Sequence, residues 1–203
     1  MMSSRRMAAV VAFATLGAEV AVALYSWIAT AVDPDTSLRS LLGSDGIRWI
    51  TGSFAANILS PWLAWMIMAG MATGVMRASR LHHAVARWRG LSDFERRSLV
   101  VVAWELAAVA ALVAVLTLVP HAILLSAVGT LFPSSFSAFV VPLVCITVGI
   151  AAVSYGCMTG RMRSAFDVFD ATVGGLASAA PWLVDYMLVA GLWSSLRYVG
   201  IVC

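Results

Sequence analysis

Charge is scarce in this chain, and one cation is missing altogether. Only 11% of the 203 residues are charged, and all thirteen basic residues are arginine, with no lysine. Hydrophobic residues make up 62% and the mean hydropathy is +0.93, well outside soluble usage. The arginines sit at the ends of apolar runs instead of forming a patch, so the net charge of +3 leaves no nucleic-acid footprint. Cysteine is equally sparse: Cys145 and Cys157 share one apolar run, and Cys203 stands apart. None has CxxC or another metal-ligand spacing, and buried positions twelve apart on one helix cannot bridge. The three read as small apolar residues of a bundle, and no metal or cofactor is expected.

What remains is apolar length. Five stretches, residues 7–32, 54–75, 98–118, 139–157 and 181–202, each approach the roughly 20 helical residues that cross a hydrocarbon core of about 30 Å. They lack the alternation of barrel strands, and no other spanning structure satisfies its backbone without water. The expected fold is all-α: a polytopic membrane protein of about five transmembrane helices plus amphipathic interfacial helices. Residues 1–203 leave room for a single transmembrane domain. The first stretch follows Arg5 and Arg6 like a signal peptide, but it is too long and carries Glu19, so it reads as a retained helix.

If five helices alternate, ten arginines fall on one side (5, 6, 77, 80, 87, 89, 96, 97, 161 and 163). Only Arg39, Arg48 and Arg197 fall on the other. The positive-inside rule then places the N-terminus in the cytoplasm and the C-terminus outside, in a bacterial inner membrane.

Between the spans, Asp33-Pro34-Asp35-Thr36-Ser37 reads as a turn. Short surface helices are expected over 37–42 and 46–50, the second capped by Ser44 or Asp45, with Trp49 as an interfacial anchor. Gly70 and Gly74 have the GxxxG spacing that admits close backbone approach of another helix. Residues 80–90 place Leu81, Val85 and Trp88 on one face of an interfacial helix. His82 and His83 are adjacent there and diverge by about 100°, which argues against a shared metal ion. Ser92 and Glu95 have capping-box spacing at the start of the third span. Residues 119–137 read as an interfacial or re-entrant piece, and 164–180 as a second amphipathic helix weakened by Gly174 and Gly175.

Three acids lie within the spans: Glu19, Glu105 and Asp185. Burying a carboxylate in a bilayer is costly, so each faces the bundle, lines a cavity or is protonated. Without a cation beside it, burial favours the protonated form, which is what a proton relay requires. All three are proton-relay candidates, with a structural role as hydrogen-bonded acids the alternative. Neither paired His and Asp at helical spacing nor a metal cluster is present, so no enzyme is expected.

Several segments together resemble the AbgT family of p-aminobenzoyl-glutamate transporters. Leu41-Leu42-Gly43-Ser44-Asp45-Gly46-Ile47-Arg48-Trp49 is similar to the family's "LLSxDGLRWM". Residues 70–84 resemble its "GIGVAEKSGL", and Leu91-Ser92-Asp93-Phe94-Glu95-Arg96-Arg97-Ser98-Leu99 its "LSPEEKRAL". Phe132-Pro133-Ser134-Ser135-Phe136, then Val141-Pro142, then Tyr155-Gly156 through Asp167-Val168 resemble "SPF…IVP…YGxxxGxIKSDKDV", and Ala180-Pro181-Trp182 stands where the family has "APY". Family members are longer. The resemblance implies a shortened member, without the first hairpin region or the C-terminal portion.

It also implies a transporter-like protein for an aromatic anionic small molecule of the p-aminobenzoyl-glutamate or antifolate type. The family's substrate-site tryptophan falls at Tyr198, after Arg197, so that Trp193, Arg197 and Tyr198 are the candidate substrate contacts. Such a short chain would act in the lipid bilayer as a homo-oligomer or with a complementary subunit. The alternative is a non-transporting scaffold or partner subunit of a split transporter.

Overall fold

A computed structural model describes residues 4–33, 36–87, 90–118 and 135–202. Their regular structure is α-helical: α1 (Ser4–Val32), α2 (Ser44–Gly52), α3 (Phe54–Ile58), α4 (Pro61–Ser79), α5 (Leu81–Ala86), α6 (Asp93–Leu118), α7 (Ser135–Met158) and α8 (Ala165–Val199). Four of them, α1, α6, α7 and α8, are long and apolar enough to cross a membrane. Their apolar surface faces outward, with Phe13 76% and Trp104 72% exposed. Water would penalise such surfaces, whereas lipid chains solvate them. Residues 119–134 and Trp88, with the re-entrant piece and part of the amphipathic face expected there, lie outside the described residues.

The expected second span is divided. Leu59 is extended between α3 and α4, and Pro61 disfavours helical geometry in Ser60 before it while itself fitting the first helical position well. Pro61 opens α4, and Ser60 caps it, its Oγ accepting the Trp62 N–H at 3.2 Å. The 19 residues of α4 reach about 28 Å, close to a bilayer core.

Four other local expectations need correction. Residues 37–42 form no helix, since their donors are used elsewhere: the Arg39 N–H bonds the Val199 carbonyl at 3.1 Å, and the Leu41 N–H bonds the buried Ser26 Oγ at 3.1 Å. α2 begins after Gly43, with no side-chain cap from Ser44 or Asp45. α5 spans only six residues and buries Leu81 and Ala84, an i, i+3 pair, while Val85 is exposed. The amphipathic segment 164–180 continues through Pro181 into the last span as one 35-residue helix, α8. The Ser92–Glu95 capping box forms as expected, with Glu95 N–H to Ser92 Oγ and Ser92 N–H to Glu95 Oε2 both at 3.3 Å. Ser164 and Asp167 make the same reciprocal pair at the start of α8.

The chain divides into two compact units, residues 1–63 with 180–203, and residues 64–179. In the second, Val75, Ala84, Val102, Ala152, Tyr155 and Met162 form the core. The glycine spacing of α4 finds its partner there. A Cβ on Gly74 would meet the Ala171 carbonyl and, at 2.7 Å, the Gly175 nitrogen; one on Gly175 would meet the Gly70 carbonyl and, at 2.7 Å, the Gly74 nitrogen. Hence α4 and the first half of α8 touch backbone to backbone, which glycine alone permits.

In the first unit, polar pairs join elements whose surfaces are otherwise apolar. Ser60 and Tyr186 share a hydrogen bond, and the Ser194 hydroxyl donates to the Asn57 carbonyl at 3.2 Å.

Candidate functional site

The first unit builds its site around two aromatic rings and one carboxylate. The bonds from Leu41 to Ser26 and from Arg39 to Val199 lay residues 36–43 across this unit and set where α2 starts. α2 then carries Trp49 onto Tyr198 of α8, with ring centroids 4.4 Å apart and planes 22° from parallel. The Arg39 guanidinium lies 5.9 Å from the centre of the Tyr198 ring, within cation–π range. Arg39, Ser40, Gly43, Ser44, Asp45 and Tyr198 line a cavity of about 570 Å³. It therefore offers a cation, a carboxylate and an aromatic face to one ligand.

Trp49 also lines a smaller cavity of about 100 Å³, together with Glu19, Asn57 and Ser195. Glu19 also lines a third, mostly apolar cavity of about 190 Å³, with Phe54, Ile58 and Gly191. The Ser195 hydroxyl donates to Glu19 Oε1. Glu19 Oε2 is buried and has no hydrogen-bond partner among the described residues.

The other candidates from the sequence are distributed differently. Asp185 is 6% exposed, and neither of its carboxylate oxygens has a partner among the described residues. It lies ten residues before Ser195, about 15 Å along α8, so it does not join the Glu19 pair. Glu105 belongs to the second unit and is half-buried, with one oxygen unpartnered. Trp193 is 53% exposed, and Arg197 is an exposed cation in the last turn of α8, a position the helix dipole favours. Of the three aromatic and cationic candidates on α8, Tyr198 is the one in the cavity.

Sequence reasoning missed Arg39, Asn57 and Ser195, and took Trp49 for a membrane anchor. Asn57 and the Ser194–Ser195 pair were visible as polar residues inside apolar stretches, a signal that only became specific once their partners were known. Cys157 is exposed, not buried.

In the second unit the His82 and His83 rings stand 4.1 Å apart, closer than their 100° separation suggested, because both exposed side chains lean together. His83 is held below the ordinary imidazole range, first by His82, then by desolvation and by Arg80, Arg87 and Arg161. Among the described residues no group of three or more His, Cys, Asp or Glu gathers as for a metal.

No protein-family model matches this chain, and no curated protein matches it. Among solved structures it is similar to the YdaH transporter of Alcanivorax borkumensis, whose crystal structure reveals an unusual topology. The TM-score is 0.77 at 15% identity, over 94% of this chain and 71% of that chain. At that identity the likeness carries the fold alone: this chain shares the multi-pass helical fold of that membrane protein.

Proposed function

We propose that this chain acts as a member of the AbgT family, a proton-coupled carrier of p-aminobenzoyl-glutamate or a related aromatic anion. The observation that supports it most is the position of Tyr198. The residue that motif resemblance singles out stands in a cavity with Arg39, stacked on Trp49. The Arg39 fork suits a substrate carboxylate, the ring pair suits an aromatic body, and Asp45 suits an amine donor. Glu19 is the proposed proton carrier, with Glu105 and Asp185 as further proton-binding acids. Trp193 and Arg197, both exposed on α8, are proposed contacts with a second copy or a complementary subunit. The arginine distribution supports an inner membrane with the N-terminus in the cytoplasm.

Equilibrium binding of labelled p-aminobenzoyl-glutamate to the detergent-purified chain tests the site. Tyr198→Ala and Arg39→Gln are each expected to weaken binding by about tenfold, the loss of one aromatic contact or one charge-assisted hydrogen bond. Glutamate without the aromatic group is expected to bind more weakly than the full compound. Unchanged affinity in both variants would remove this cavity from the proposal.

A further inference from the structure

A second polar cavity, of about 300 Å³, lies in the other unit, outside the site just described. It is lined by Arg80, His83, Arg87, Glu95, Tyr155 and Arg161, among others. The fold builds its walls deliberately. Gly160, at φ 71°, ends α7 in the left-handed conformation that glycine adopts without strain. The Arg161 N–H then turns back to the Gly156 carbonyl at 2.9 Å. That turn aims the Arg161 side chain across the unit. Its Nη1 donates to the Ser79 carbonyl at 2.9 Å, and its Nη2 meets Glu95 Oε1 at 3.4 Å.

The charges do not balance. Among the described residues, three guanidinium groups and one carboxylate line the cavity, a net excess of positive charge. Glu95 is already engaged by Arg161 and by the Ser92 cap, so Arg80 and Arg87 have no anion from this wall. Tyr155 sharpens the point. Its residue is fully buried, yet its hydroxyl has no hydrogen-bond partner among the described residues. Buried hydroxyls in native proteins are nearly always paired. A ligand that accepts from Tyr155 and from arginine forks together would satisfy every one of these groups. A metal cation would be repelled. A tetrahedral oxyanion accepts on several sides at once and suits guanidinium geometry.

We propose that this cavity binds a phosphate group, held by Arg80, Arg87 and Arg161 and by the hydroxyl of Tyr155. The phosphate belongs either to the headgroup of an anionic lipid or to a free phosphate anion, and one titration distinguishes them. The purified full chain in neutral detergent is titrated at fixed ionic strength with inorganic phosphate, and separately with short-chain phosphatidylglycerol against phosphatidylcholine. Saturable binding of inorganic phosphate assigns the free anion; a preference for phosphatidylglycerol over phosphatidylcholine without it assigns the headgroup. Either supports the site, provided that Arg87→Gln and Tyr155→Phe each weaken that binding, by about tenfold and about fivefold. Both variants leave the Arg161 contacts in place, and Arg87→Gln, at an exposed position, carries the test should Tyr155→Phe fail to fold. Binding of neither probe, or wild-type affinity in the folded variants, would overturn the proposal.

Discussion

Gly175→Ala is expected to destabilise the chain severely, while Gly174→Ala, one residue earlier on the same helix, is expected to do no harm. The two glycines differ only in what a methyl group would meet. At Gly175 it would run into backbone atoms of Gly70 and Gly74, whereas at Gly174 it meets nothing within 4 Å. Backbone cannot rotate away as a side chain can, so α4 and α8 would have to separate locally. Overpacking of this kind costs about 3 kcal/mol. At Gly174 the gain in helix propensity is about 0.5–1 kcal/mol. Unfolding temperatures in a mild detergent check the pair: a large fall for Gly175→Ala beside a small rise for Gly174→Ala. Equal shifts would mean that the two helices do not touch through these residues. Gly74→Ala should behave like Gly175→Ala for the same reason.

The second large effect concerns Glu19. Glu19→Gln keeps the shape of the side chain and still accepts from Ser195 through its carbonyl oxygen, but it cannot carry a proton. In reconstituted vesicles, stimulation of uptake by an imposed proton gradient is expected to disappear, while the unfolding temperature changes little. Coupling between linked sites is commonly about 1–3 kcal/mol, so the gradient-driven excess should fall by roughly tenfold or more. Asp185→Asn and Glu105→Gln, measured alongside, rank the other two acids. Gradient stimulation that survives Glu19→Gln would reassign the proton to one of them.

Much of the architecture was legible because the bilayer permits so few solutions. Apolar length gave the helical class, and the Ser92–Glu95 spacing gave the start of α6. The Gly70–Gly74 spacing announced a close helix contact but not its partner, since Gly174-Gly175 read as weakness in an isolated helix. The same blindness divided α8: a glycine pair and Pro181 look like breaks, yet one helix runs through both. The candidate site was half legible. Tyr198 came from resemblance and Glu19 from the cost of burying a carboxylate. Arg39 and Trp49 looked like surface residues because the backbone bonds that lay residues 36–43 across the first unit, Leu41 to Ser26 and Arg39 to Val199, leave no trace in local sequence pattern.

The most direct measurement of the central claim is uptake of labelled p-aminobenzoyl-glutamate by proteoliposomes holding the purified chain, with and without an imposed proton gradient. A proton-coupled carrier gives saturable uptake above protein-free vesicles, raised by the gradient and reduced in Tyr198→Ala. Uptake no greater than in protein-free vesicles, from protein shown to be folded and inserted, would contradict the account.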